Sequence, residues 1–112
     1  MNRERIAVAR RRQEALDSLE FEREREEALT RQLEPIIRDA EAWQADALAF
    51  AHMPPDDVET LRRIGFARKE PPEDARGRFE GRISELTEMI EDSKLRQKAF
   101  EAYANALGQV EV

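Results

Sequence analysis

The sequence predicts an all-α protein: an elongated helical hairpin or small antiparallel bundle with a long N-terminal helix, a short middle helix and a long C-terminal helix. Its 112 residues are rich in Ala, Leu, Glu, Arg and Gln, which favour helices, and poor in Val, Thr and Tyr, which favour strands. The 4 glycines and 5 prolines are clustered, so long segments contain no helix breaker. Within those segments, apolar residues recur at steps of three and four, the spacing of an amphipathic helix.

The first helix is predicted to begin at about Arg3, with Asn2 as its N-cap. Over residues 1–28 the apolar stripe of this helix is narrow. Its members at helical spacing are Ile6, Ala9, Leu16 and Leu19. Residues 20–27 read EFEREREE, seven charged side chains in eight. We therefore expect only Phe21 to be buried in that stretch and the helix around it to be solvated.

Residues 29–51 carry a stronger pattern, an a/d seam typical of coiled coils. Its members are Leu29, Leu33, Ile36, Ala40, Trp43, Ala47 and Phe50. Pro35 lies inside this seam and cannot donate a main-chain hydrogen bond. Because the spacing keeps its phase across the proline, we expect one kinked helix rather than two. The small alanines beside Trp43 leave room for its indole, which we expect to pack in the core.

Residues 52–74 predict a short helix between two proline turns. Asp56 and Glu59 have the spacing of a capping box at the start of this helix. Gly65 is suited to end it in a left-handed turn. The second turn is expected over residues 66–74, which contain Pro71 and Pro72, and Glu73 and Asp74 suit the positive end of the helix that follows.

The last helix is predicted over residues 75–107, and Gly108 is expected to end it. Two polar residues, Ser93 and Gln97, interrupt its seam in the middle. The full seam reads Phe79, Ile83, Leu86, Ile90, Ser93, Gln97, Phe100, Ala104 and Leu107.

A chain of this length makes one domain at most, and the patterns divide it into two segments. In residues 29–112, we expect the two long seams to pair antiparallel as a hairpin. The expected facing residues are Leu33, Ile36, Trp43 and Phe50 on one side and Ile83, Leu86, Ile90 and Phe100 on the other. Residues 1–28 then have no intramolecular partner of matching length, which predicts a projecting, charged N-terminal arm that packs on another chain.

Several function classes are disfavoured by what the sequence lacks. With no cysteine there can be no disulfide, thiolate zinc site or cysteine nucleophile. His52 is the single histidine, and no Glu-x-x-His pair, Gly-rich phosphate loop or Gly-x-Ser-x-Gly elbow occurs. We therefore expect a protein that is not an enzyme, with no catalytic residue, no cofactor and no metal. The longest run without a charged residue is nine residues, far below the ~20 needed to span a bilayer, so we expect a cytoplasmic protein.

Charge is unevenly distributed along the chain, which has a net charge of −6. Residues 1–12 contain five arginines and one glutamate, a net charge of +4, whereas residues 13–51 contain eleven acidic residues and four arginines, a net charge of −7. A basic N-terminus can contact phosphates. The aromatic residues of single-strand binders are missing, however, and the acidic total opposes nucleic-acid binding, so a protein partner is favoured.

The predicted function is that of a non-catalytic, acidic, coiled-coil protein for protein–protein interaction, assembly or self-association, of the kind found among phage or mobile-element accessory and structural components. Two alternatives remain: an acidic inhibitor that occupies a basic groove through Glu20 to Glu41, and a regulator that contacts nucleic acid through its N-terminal arginines. Phe66, in a charged loop, is expected either to plug the end of the bundle or to meet a partner. The candidate partner-binding residues are Ile6, Arg10, Arg11, Arg12, Leu16, Leu19, Phe21 and Phe66.

Overall fold

A computed structural model describes residues 2–67 and 73–111 of the chain, and these contain three α-helices and no strand. Helix α1 spans Arg3–Phe50, α2 spans Pro55–Arg63 and α3 spans Glu73–Gly108. The all-α class and the order of a long, a short and a long helix are confirmed. The predicted turn at Pro71–Pro72 lies outside the described residues.

Helix α1 is continuous over 48 residues and passes through Pro35 without a break. Its first turn is capped as predicted, because the Asn2 Oδ1 atom accepts a hydrogen bond from the Glu4 amide at 2.9 Å. Pro35 removes one main-chain hydrogen bond from the helix. The seam on either side of the proline keeps the same phase, so the packing favours a single helix at this position.

Helix α2 begins two residues earlier than predicted, because its N-cap is Pro54 and not Asp56. Pro54 is its N-cap and makes no side-chain capping bond, and Pro55 is the first helical residue. A proline at the first helical position costs no main-chain hydrogen bond, because the N–H group of any other residue there would have no acceptor within the helix. Asp56 therefore lies in the first turn, next to the positive end of the helix dipole, and the predicted Asp56 N-cap is wrong.

Gly65 ends α2 as predicted. Its φ of +78° lies in the left-handed region, which glycine adopts without the cost that a Cβ imposes. The Gly65 amide donates to the Arg62 carbonyl at 3.2 Å, and the Phe66 amide donates to the Leu61 carbonyl at 3.1 Å. These two bonds are those of a Schellman motif, and they leave Phe66 just beyond the end of the helix.

The chain forms two compact units. Unit 1 comprises Met1–Arg31 and Leu86–Val112, and unit 2 comprises Gln32–Glu85. Within unit 1, the beginning of α1 runs antiparallel to the end of α3: the Arg12 side chain contacts the Ala104 carbonyl, and Glu22 contacts Ser93.

These contacts overturn the projecting arm expected for residues 1–28, because that segment packs on the chain's own α3. The physical reason is a seam that continues N-terminal to Leu29 with the same spacing, through Leu19, Glu22 and Glu26. Glu22 is buried at one of these seam positions. Because its side chain is charged, the apolar pattern of the seam is not visible in the sequence there.

The core of unit 1 is built from small and branched side chains of both helices. The buried apolar residues are Ala15, Leu19 and Leu29 from α1 and Leu86, Ile90 and Ala104 from α3. Leu86 and Ile90 thus belong with residues up to Arg31, so their predicted pairing with residues 33–50 is wrong. The alignment of α1 with α3 brings the polar residues of the two seams together, because Glu22 contacts Ser93. All nine predicted seam positions of α3 are buried or half-buried.

Unit 2 contains the second half of α1, helix α2 and the beginning of α3. The half-buried Trp43 packs on Phe79, with ring centroids 5.7 Å apart and ring planes tilted by 40°. The Arg82 guanidinium donates to the Gln32 amide oxygen at 3.3 Å. Trp43 therefore packs against the facing helix, and α1 and α3 are again antiparallel within this unit.

Candidate interaction surfaces

Arg11 is held by its own chain. Its Nε atom donates a hydrogen bond to the Tyr103 hydroxyl at 3.3 Å, its guanidinium lies 5.7 Å from the centre of the Tyr103 ring, and it forms an ion pair with Glu14. The hydrogen bond to Tyr103, followed by that to Glu14, raises the pKa of the Arg11 guanidinium. Arg11 is exposed, but its charge is directed at groups of unit 1.

Arg12 contacts the last turns of α3. Its Nε atom donates to the Ala104 carbonyl at 3.4 Å, close to the negative end of the α3 dipole. The guanidinium also lies beside Gly108, where a Cβ atom would come within 3.5 Å of the Arg12 Nε atom. Arg10 is exposed. Two of the three consecutive arginines are thus used to join the N-terminus of α1 to the C-terminus of α3.

The apolar candidates of the first turns differ in their surroundings. Leu19 is buried between the two helices of unit 1, so its side chain offers no surface to a partner in this fold. Leu16 is half-buried, and Ile6 is exposed. Of these three predicted contacts, only Ile6 and part of Leu16 remain accessible.

Phe21 and Glu22 have the opposite environments to those expected. Phe21 is 64% exposed, whereas Glu22 is only 5% exposed. Phe66 is 79% exposed, which excludes a role as a plug at the end of unit 2. Both phenylalanines present their rings to solvent, as a partner-binding residue must.

Sequence reasoning missed three further apolar residues that are 66% to 69% exposed: Leu48, Ile64 and Leu95. A signal was present in the sequence, because Leu95 stands between the seam positions Ser93 and Gln97, and Leu48 stands just after Ala47. Large apolar residues that fall between seam positions point away from the helix partner.

A polar cluster lies inside unit 1. The Ser93 hydroxyl is 2.9 Å from the Glu22 Oε2 atom and 2.9 Å from the Glu22 carbonyl oxygen. Arg96 approaches the Glu22 Oε1 atom at 3.4 Å, and the Gln97 amide nitrogen is 3.4 Å from the Glu22 carbonyl. The buried carboxylate is surrounded by donors, which offset its desolvation.

Unit 2 contains an open cavity of about 490 Å³. Aromatic side chains of α1 and α3, namely Trp43, Phe50 and Phe79, form part of its wall. The Arg62 guanidinium lies 5.3 Å from the centre of the Phe50 ring. The Trp43 Nε1 atom is buried and has no hydrogen-bond acceptor among the residues that the structure describes.

Comparison with protein-family models, with curated proteins and with solved structures finds no match for this chain. Among residues 2–67 and 73–111, no group of three His, Asp or Glu side chains is arranged to hold a metal ion. In the same part of the chain, no helix is both long enough and apolar enough to cross a membrane. The surfaces that remain as candidates are the exposed apolar side chains and the cavity of unit 2.

Proposed function

We propose that this chain is a non-catalytic protein–protein interaction protein whose exposed apolar side chains dock on a partner protein. The observation that carries the proposal is a set of large apolar residues that are 64% to 79% exposed: Phe21 and Leu95 in unit 1, and Leu48, Ile64 and Phe66 in unit 2.

In unit 1, the exposed Phe21 and Leu95 are not left over from an unfilled core. The seam positions of unit 1 are already occupied by residues such as Leu19, Leu86 and Ile90, which pack within the unit. Single exposed apolar residues are ordinary, but each phenylalanine or leucine that a partner buries contributes about 1.5–3 kcal/mol. Several such residues in a chain with only 6% aromatic side chains provide the anchors that interfaces use.

The proposal is tested in unit 1, where Phe21 and Leu95 are exposed and stand next to the packed seam positions without being part of them. The full chain is tagged in the cells that express it, and the captured proteins are compared with those of the double variant Phe21→Ser, Leu95→Ser. Apolar docking predicts that the captured partner is lost from the variant but is retained by the parent at high salt.

A matched control replaces the exposed charged residues Glu24 and Lys98 by serine in the same helices. This control should retain the partner. Equal capture by the parent, the apolar double variant and the control would contradict docking through these side chains.

One observation favours the acidic-inhibitor alternative. A shallow depression on α1 is lined by four glutamates and one arginine, together with parts of two leucines: Glu20, Glu24, Glu26, Glu27, Arg23, Leu16 and Leu19. A basic partner groove bound there would be released by salt, in contrast to apolar docking.

Nucleic-acid binding has less support, because the guanidiniums of Arg11 and Arg12 already contact Tyr103 and Ala104. An origin in a phage or mobile element stays a prediction from composition. The salt dependence of the captured complex separates apolar docking from both charge-driven alternatives.

A further inference from the structure

The cavity of unit 2 has the size and lining of a docking site for an apolar side chain. Its volume of about 490 Å³ lies in the range of sites that enclose small ligands. Trp43, Phe50 and Phe79 supply aromatic surface, and Ala40 and Ala47 leave space between them.

The wall also contains a hydrogen-bond donor without an acceptor. The indole Nε1–H group can only donate, and that of Trp43 is buried with no acceptor among the described residues. Buried donors are almost always satisfied, so a group that enters the cavity is expected to bring an acceptor such as a main-chain carbonyl.

The same unit presents a side chain of the matching kind. Phe66 follows the left-handed turn at Gly65, is 79% exposed and is not among the residues that line its own cavity. A phenylalanine on a turn carries an apolar ring next to main-chain carbonyls. Phe66 therefore offers both groups that the wall around Trp43 can receive.

The residues that line the cavity carry charges of both signs. Asp46 and Glu80 supply negative charge, and Arg62 supplies positive charge. A two-fold axis brings the same patch of two copies together, so an acidic group of one copy can face Arg62 of the other. A partner that carried charges of one sign only would meet a like charge in part of this lining.

We propose that unit 2 binds a second copy of this chain, with Phe66 of each copy inserted into the Trp43 cavity of the other. In this dimer the ring covers Trp43 and Phe79, and a main-chain carbonyl next to Phe66 accepts the hydrogen bond from Trp43 Nε1. The inference rests on the proposed function, because it names the partner for one of the exposed apolar groups.

Trp43 is the only tryptophan of the chain, so its fluorescence reports on this cavity alone. The full chain is measured by sedimentation equilibrium and by tryptophan emission over the same concentration series. Dimerisation through the cavity predicts that the emission moves to shorter wavelength, and that acrylamide quenching falls, in step with the dimer fraction.

Two variants locate the contact. Phe66→Ser removes the inserted ring, and Ala47→Phe fills the cavity from its exposed rim. Because both insertions of the two-fold dimer are lost, each should weaken dimerisation roughly a hundredfold or more, twice the free energy expected for one buried phenylalanine. The matched control Phe21→Ser removes another exposed phenylalanine ring, from unit 1, and should leave the dimer unchanged.

Mixing the two variants gives a stricter test. Phe66→Ser keeps an intact cavity and Ala47→Phe keeps an intact Phe66, so a mixture should regain association through one insertion. Circular dichroism confirms that each variant is folded. Should Ala47→Phe fail to fold, the exposed Phe66→Ser variant still decides.

Three results would overturn the proposal: a parent chain that stays monomeric, a dimer whose Trp43 emission does not change with concentration, or equal effects of Phe66→Ser and Phe21→Ser. The parent chain could be monomeric and still lose its captured partner on Phe21→Ser, Leu95→Ser substitution. That result would contradict the dimer and would support the proposed function.

Discussion

The Glu22 carboxylate and the Ser93 hydroxyl are 2.9 Å apart in the interior of unit 1. A hydroxyl has one proton, so Ser93 can donate either to this carboxylate or to the Glu22 carbonyl, which is also at 2.9 Å. The Gln97 amide and the Arg96 guanidinium supply further donors nearby. A shift of one helix by a heptad would bring Glu22 to an apolar part of the α3 seam, so this contact favours one alignment.

Replacement of Ser93 by alanine should lower the free energy of unfolding by about 1–3 kcal/mol, because the buried Glu22 carboxylate loses a donor that solvent cannot replace. Urea denaturation measures the change. The control Ser84→Ala alters an exposed serine of the same helix and should stay within about 0.5 kcal/mol of the parent. Equal losses for the two serines would show that the Glu22 contact contributes nothing.

The double variant Glu22→Leu, Ser93→Leu should be as stable as the parent, or more stable by about 1–4 kcal/mol, since buried charge is replaced by apolar packing. Its helices should lose their single alignment, because no polar pair then distinguishes one heptad position from the next. Nuclear magnetic resonance should show several sets of peaks for residues 86–107. A single sharp set would mean that other contacts specify the alignment.

The difference between the two long seams explains how much of this fold could be predicted. In α3, the apolar residues outnumber Ser93 and Gln97, so the pattern remains visible and all nine positions are buried or half-buried. In α1, Glu22 occupies a seam position and Phe21 stands beside it, which reverses the assignment that hydrophobicity alone makes. A buried charge can be recognised only once its partner is known, and that partner is 71 residues away.

The candidate surfaces were predictable to a similar extent. The sequence singles out Phe66, because a large ring stands in a charged loop, and the side chain is exposed. The cavity was not predicted, because its wall joins Arg62 of α2 to Phe50 and Phe79 of the two long helices. Proximity of that kind depends on the angle at which α2 packs, which no local pattern contains.

Ile90→Ala should cost about 2–4 kcal/mol through loss of buried surface and formation of a cavity in unit 1. Leu95→Ala is the matched control, since it removes a side chain of the same size from an exposed position of the same helix. Its effect should remain within about 0.5 kcal/mol. A loss below half a kcal/mol for Ile90 in urea denaturation would place that residue outside the core.

Gly65→Ala should lower the free energy of unfolding by about 1 kcal/mol. No atom lies within 4 Å of the added Cβ, so the cost comes from the positive φ alone. Gly81→Ala tests the opposite case, because the same substitution inside α3 also meets no atom within 4 Å. It should stabilise the chain by about 0.5–1 kcal/mol through helix propensity. Thermal unfolding with shifts of the same sign for both variants would contradict the assigned turn.

Deletion of residues 1–27 should destabilise α3 rather than remove an independent arm. The deleted segment contains Ala15, Leu19 and Glu22, which are buried in unit 1 together with Ile90 and Ser93 of α3. Without them, the second half of α3 is a single amphipathic helix with an uncovered seam, and such helices are marginal in water.

Circular dichroism should therefore show a helix content per residue below that of the full chain, and a peptide of residues 1–27 added in trans should restore it. A variant peptide with Leu19→Ser is the control and should restore less, because it removes a buried leucine. Helix content and an unfolding midpoint that are unchanged by the deletion would mean that residues 1–27 do not support α3 in solution. The N-terminal arginines would then be available to another chain, as the charge pattern alone suggests.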